Sequence, residues 1–256
     1  MTGEPALGPE REHHERLYGG FAQEHFAKPA VRALRRHLVG HVLRATGVDR
    51  ASRVLSLGCG IGDTELLLAP HVGEVVGVDL APAAVRQATE DAARAGVPNA
   101  RFLEGTVPGL PLEPGSFDLV LAIFFLHHLA DGPLAALPGA LARLLRPGGR
   151  VWSLDPSRRR LSGALGRLLV PRLMRRYQSP DERELDPRAT ARLFEAVGFR
   201  AATRFHDFLS TPMAGLFPSW RLGWRAARAL DDLLVRVPGL RLFSSDFELL
   251  ARLTAR

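Results

Sequence analysis

VLSLGCGIGD, residues 54–63, is an apolar run that breaks into three glycines at alternate positions. With Arg53 before it, the run reads as a buried strand, and the DTELLLAPHV that follows reads as a helix. Glycines between a strand and a helix permit positive φ and let a ligand edge approach the backbone. Their spacing here is Gly58-x-Gly60-x-Gly62. A dinucleotide fingerprint needs G-x-G-x-x-G, and residue 63 is Asp63. A P-loop needs a Gly-Lys-Ser/Thr ending, which the stretch lacks. The turn therefore suits a ligand that brings no diphosphate.

Outward from the turn, strand and helix patterns alternate. EVVGVDL is a second strand, and Asp79 stands at its carboxyl end, about twenty residues past the glycines. An acid there can accept both hydroxyls of a ribose, which points to an adenosine-type ligand. PAAVRQATEDAARAG is a helix opening on Pro82 and closing on Gly96. ARFLEG, FDLVLAIFF and RVWSLDP supply three more strands, with LAALPGALARLLRPGG as a helix stopped by Pro-Gly-Gly. Near-continuous apolar strands alternating with helices predict a parallel sheet covered on both faces. Further on, Ser179-Pro180 with Glu182, and Asp186-Pro187, read as helix starts. RATARLFEAVGF is a helix, FRAATRFHDFL a strand, and DFELLARLT a last strand returning antiparallel at the sheet edge.

The chain has 256 residues and a formal charge of +7, and Lys28 is its only lysine. Such a balance admits nucleic acid, anionic lipid or acidic substrates as partners and selects none of them. Cys59 is the only cysteine, which excludes an internal disulfide and a cysteine-based metal cluster. MTGEPALGPEREHHERLYGG shows no apolar leader, and no run reaches membrane-span length. The expectation is a cytoplasmic protein, with room for peripheral membrane association.

Taken together, VLSLGCGIGD, VVGVDL, FDLVLAIFFLHHL and LLRPGGRVW resemble the motifs of class I S-adenosylmethionine-dependent methyltransferases, over about residues 50–155 plus the final strands. The resemblance implies an α/β, Rossmann-like, doubly wound sheet of seven strands with the last reversed. It implies S-adenosylmethionine as cofactor. Gly58, Cys59 and Gly60 would line its methionine part, Asp79 its ribose and Leu80 its adenine, with Ala122 and Ile123 beside the transferred methyl. Many relatives have an acid at the Ser56 position, helping to fix the cofactor's ammonium, and Asp at the Thr106 position, accepting from the adenine amino group. Neutral hydroxyls bind more weakly than carboxylates, and Asp63 or Glu104 is the expected compensation at these two departures.

His127 and His128 follow the fourth strand, where acceptors enter this fold, and either could take a proton from a hydroxyl. The competing reading for the pair is packing and loop fixing. Asp155 ends the fifth strand on the same side, where a capping role is the plainer reading. Ala122-Ile123-Phe124-Phe125 stands where enzymes acting on exocyclic amines of bases carry Asp/Asn-Pro-Pro-aromatic, so base N-methylation is disfavoured. Tyr18, with His14 and His25, lies in a segment that often lids the cofactor, against helix packing as the alternative. DERELD is better explained by alternating charge at helix starts than by a metal, and none is expected.

The expected organisation is a helical lid over residues 1–48, a cofactor-binding core over 49–156, and a helical insertion over 157–186. Residues 187–256 complete the core and carry a helical cap at about 210–243. Both insertions read as basic amphipathic helices; in the cap, Trp220, Trp224, Ala227, Leu230 or Asp231, and Leu234 form the apolar face, with arginines elsewhere. A substrate lid, or a surface touching anionic membrane and receiving a lipophilic acceptor, would use such helices. The expected function is methyl transfer to a small or lipophilic acceptor at oxygen. The rivals are an RNA methyltransferase, motivated by charge, and a cofactor-binding protein without transfer, motivated by Ser56 and Thr106.

Overall fold

In a computed structural model of the protein, residues 21–163, 168 and 183–254 are described. Two helices, α1 (Phe21–Phe26) and α2 (Pro29–Thr46), precede β1 (Arg53–Leu57) and α3 (Asp63–Leu68). Then come β2 (Glu74–Asp79), α4 (Pro82–Arg94), β3 (Ala100–Glu104), β4 (Phe117–Ile123), α5 (Asp131–Leu144) and β5 (Leu145–Pro156). The chain continues through α6 (Pro187–Glu195), β6 (Phe199–Asp207), α7 (Ser210–Leu216), α8 (Arg221–Leu234) and β7 (Asp246–Leu253).

The strands form one seven-stranded sheet in the order β3-β2-β1-β4-β5-β7-β6, with β7 antiparallel to both neighbours and the first five strands mutually parallel. This is the Rossmann-like sheet with a reversed last strand. One detail differs from the sequence reading: β7 lies inside the sheet and β6 forms its edge. Phe247, Leu249 and Ala251 of β7 are fully buried, whereas residues 200–205 of β6 alternate between exposed and partly covered. A strand apolar enough for an interior place takes it, and the polar one takes the edge.

Side chains alternate between the two faces. Leu55, Leu57, Val76 and Val120 pack with Leu141, Phe194 and Phe247 on one side. Val54, Val75, Leu119, Leu121 and Trp152 pack on the other against Leu34 and Leu38 of α2. Pro29 opens α2, and Gly47 at φ 67° closes it, its N–H donating to the Leu43 carbonyl. Asp186 caps α6 as its sequence implies, accepting from the amides of Arg188 and Ala189. The Pro-Gly-Gly segment read as the stop of α5 lies instead in β5, where Gly148 adopts φ 79°; α5 ends earlier, at Leu144.

The cap corrects its sequence reading. Trp224, Ala227 and Asp231 of α8 face inward, but Arg228 is buried with them and Trp220 is 56% exposed. Arg228 donates to the His206 carbonyl and to Asp232, and Asp231 accepts the amides of Phe208, Leu209 and Ser210 at the start of α7. Periodicity counts hydrophobicity alone, whereas a charged group with its hydrogen bonds satisfied can also go inside. The face turned outward carries Leu222, Leu230 and Leu233 beside Arg221 and Arg225. Most of the 157–186 insertion, the Ser179 cap, His14 and Tyr18 lie outside the described residues. Among those described, no helix is long and apolar enough to cross a membrane.

Candidate functional site

The site lies at the carboxyl ends of β1, β2 and β4. Strand order reverses between β1 and β4, which is where open α/β sheets bind ligands. Gly58, Gly60 and Gly62 adopt φ of 64°, 52° and 75°, conformations that disfavour side chains. A Cβ on Gly58 would stand 2.6 Å from the Phe125 ring, and one on Gly62 would stand 2.7 Å from the Phe102 ring. The glycines thus supply both the turn and the room for two aromatic rings. The amides of Gly58 and Cys59 donate to the Val78 carbonyl, and that of Gly62 to the Cys59 carbonyl. The Gly60 amide donates to Asp79 Oδ2 at 2.8 Å. These four donors are engaged within the protein, so the turn does not form a phosphate nest.

Asp79 is held from both sides: Oδ1 accepts from the Ala81 amide at 2.9 Å while Oδ2 accepts from Gly60. A carboxylate has about four lone-pair directions, so both oxygens keep capacity for hydroxyl donors. Leu80 is half-buried beside it. Thr106 follows Gly105, whose amide donates to the Asp79 carbonyl, so the Thr106 position adjoins the end of β2. Cys59 turns its side chain inward against Phe102 and Ala88. Burial pushes its thiol well above the ordinary value, leaving it unreactive.

Ser56 has an acid beside it, and the acid is Glu65. Ser56 Oγ donates to Glu65 Oε1 at 2.6 Å, with both side chains buried. Glu65 Oε2 is buried without a hydrogen-bond partner. Burial lifts the Glu65 carboxyl to about 7, against the lowering effect of the Ser56 bond. Asp63, the compensation expected from sequence, instead pairs with Arg35 at 3.0 Å, and Arg35 stands over the Phe26 ring. Phe26 in turn packs on Ile61, Ala81 and Ala84, which seats the end of α1 against the turn. Glu104, the other candidate, is exposed on β3. The sequence did hold a signal for Glu65: it stands three residues before the buried Leu68, an acid on the apolar face of α3.

At the end of β4, Ala122 is fully buried in the core and Ile123 is half-buried. Phe124 adopts φ 54°, a strained conformation for an aromatic residue. His127 is 4% exposed, and its Nδ1 lies 3.0 Å from Asp155 Oδ1, which also accepts the His127 amide. The His127 carbonyl accepts from the Arg183 amide. His128 is half-buried, with its ring centroid 4.1 Å from that of His127. The two histidines therefore differ: one is clamped inside by Asp155, and the other lies nearer the surface.

Residues 54–149 match the family model described as a methyltransferase domain. An uncharacterized methyltransferase of Bacillus subtilis (strain 168), YcgJ, is 34% identical over 117 residues, covering 46% of this chain and 46% of that protein. Its crystal structure has a TM-score of 0.58 at 23% identity, covering 86% of this chain and 99% of that one. A ubiquinone biosynthesis O-methyltransferase of Albidiferax ferrireducens is 35% identical over 137 residues, covering 53% of this chain and 50% of the relative. The putative methyltransferase solved with the Haloferax volcanii Trm112 activator has a TM-score of 0.65 at 19% identity, covering 94% of this chain and 98% of that one. The chain spans about half the length of the curated relatives it matches.

Proposed function

With a methyltransferase domain over residues 54–149 as the premise, we propose that the protein transfers a methyl group from S-adenosylmethionine to a small or lipophilic acceptor, at oxygen. One observation carries the cofactor reading. The glycine turn is flanked by two buried carboxylates, Asp79 and Glu65, with acceptor capacity to spare, while its own amides are engaged. That acceptor set suits a ribose and an ammonium and refuses a diphosphate. Asp79 would accept from the ribose hydroxyls. Ser56 and Glu65 would take the ammonium, restoring through α3 the acid that β1 lacks. Gly58 and Gly60 would line the methionine part with backbone, Leu80 would lie against the adenine, and the Thr106 hydroxyl would accept from its amino group. Ile123, at the end of β4, would border the transferred methyl.

When bound, the cofactor supplies a methyl group on a sulfonium sulfur. His128 takes the proton of the acceptor hydroxyl. Asp155 and His127 fix the loop that carries it, and they act as positioning residues. The small or lipophilic acceptor is supported by the relative named for ubiquinone biosynthesis and by the outward face of α8. Leu222 and Leu233 there are 71% and 61% exposed. A cleft of about 440 Å³ beside them is lined by Arg32, Arg36, His37, Arg221, Trp224 and Arg225. Leucines flanked by arginines suit an anionic membrane, from which a lipophilic acceptor would be drawn.

Isothermal titration with S-adenosylmethionine and its demethylated product is the first test: binding of both is expected, and binding of neither ends the enzyme reading. Tritiated methyl should then appear in the organic-extractable fraction of an incubated cell extract. Label in RNA alone would replace the acceptor class proposed.

A further inference from the structure

A second cluster of chemically capable side chains lies away from the glycine turn, between α2 and the strands β6 and β7. His41 Nε2 lies 2.5 Å from Glu248 Oε2. His206 completes the group, and one donor atom from each of the three residues lies within 4.8 Å of the others. The ring centroids of His41 and His206 are 5.2 Å apart, and His37 stands 5.6 Å from His206. The aromatic walls are Trp152, 5.9 Å from His41, and Trp224, 6.0 Å from His37. His206 and Glu248 are buried, and His206 Nε2 has no hydrogen-bond partner.

We propose that His41, His206 and Glu248 bind one divalent transition-metal ion, with zinc as the expected occupant and His37 beside the remaining position. Two imidazole nitrogens and a carboxylate form a recognised ligand set for zinc, at about 2.0–2.2 Å per bond. Such bonds place ligand atoms roughly 3.3 Å apart, so the His41–Glu248 pair opens by about 0.8 Å and the other atoms close by no more than about 1.5 Å, within the reach of side-chain rotation. A ligating histidine must be neutral. His206 Nε2, buried and without a hydrogen-bond partner, offers a ring nitrogen that nothing among the described residues engages. Arg228, which donates to the His206 carbonyl, is itself engaged by Asp231 and Asp232. Binding replaces the hydrogen bond between His41 and Glu248 with a bond from each to the metal. The product is a clamp that joins α2 to β6 and β7 beneath the cap.

This site stands apart from the methyl-transfer reading and is tested without activity. The full chain is stripped with chelator, and zinc binding is followed by titration and by metal analysis after dialysis. Cobalt(II) serves as the spectroscopic substitute. The wild type is expected to hold one equivalent, to unfold at higher temperature with zinc, and to give visible cobalt bands of imidazole–carboxylate type. His206→Gln and Glu248→Gln preserve side-chain volume, and each should weaken zinc by more than about 100-fold, since even outer-shell partners are worth 10–100-fold. His206→Ala, checked for a wild-type circular dichroism spectrum, gives the same answer with the ring removed. No zinc on the wild type, or zinc retained by both Gln variants, overturns the assignment.

Discussion

The carboxyl edge of the sheet has two ends built on different principles. Around β1, β2 and β4, the groups that matter are close in sequence. Ser56 bonds Glu65, Gly60 bonds Asp79, and His127 precedes His128. Around β6, β7 and the cap, the partners are remote. His41 meets Glu248 across 207 residues, and Ser245 donates to the Phe208 carbonyl across 37. The first end is shaped by backbone conformation, with glycines forced by positive φ. The second is shaped by what packs on an edge strand, with buried charges tied off one by one. Local stereochemistry builds the binding turn, while long-range packing builds the cap.

The comparison can be broken most severely at the first end. His128→Ala should lower kcat by roughly 100- to 10,000-fold while cofactor affinity, read by titration calorimetry, stays near wild type. Full turnover in this variant would reduce the histidine pair to packing. Next comes Glu65→Gln. A carboxyl raised from 4.5 to about 7 keeps its proton in the folded state after the unfolded chain has lost it. Wild-type stability should therefore fall, by about 3 kcal/mol, as pH rises from 4.5 through 7. The Gln variant should lack that fall, and so be the more stable protein at pH 8, while binding cofactor more weakly. Matching denaturation curves for the two proteins at pH 8 would remove Glu65 from the account.

Smaller effects probe the cap. Asp231→Ala frees three amides at the start of α7 and should cost about 2 kcal/mol, at the upper end for a lost helix cap. Calorimetry should show Tm lower by roughly 4–8 °C. An unchanged Tm would mean that the cap is pinned elsewhere. The smallest effect on stability belongs to the outward leucines. Leu222→Ser with Leu233→Ser should stay within about 0.5 kcal/mol of wild type per site, yet lose co-sedimentation with anionic vesicles. Equal sedimentation of variant and wild type would separate this face from any membrane.

The strands, the helix starts at Pro29, Pro82 and Asp186, and the antiparallel return of β7 are all legible in the residues that form them. So is Asp79, because a strand end and a glycine turn fix its place at a known distance along the chain. Glu65 was half legible: its apolar register on α3 was visible, but its bond to Ser56 depends on how α3 packs on β1. The inward turn of Arg228 was hidden, since hydrophobicity ranks arginine as a surface residue whatever its partners.

By itself, the sequence determined the alternation of elements, the reversed strand and the nature of the glycine turn. Those follow from side-chain period and from the φ values open to each residue, both properties of a few neighbouring positions. Tertiary structure alone decided which strand took the edge, which acid served Ser56, and that His41, His206 and Glu248 should meet. Those outcomes depend on burial and on pairing between distant segments, and neither exists until the chain has closed on itself.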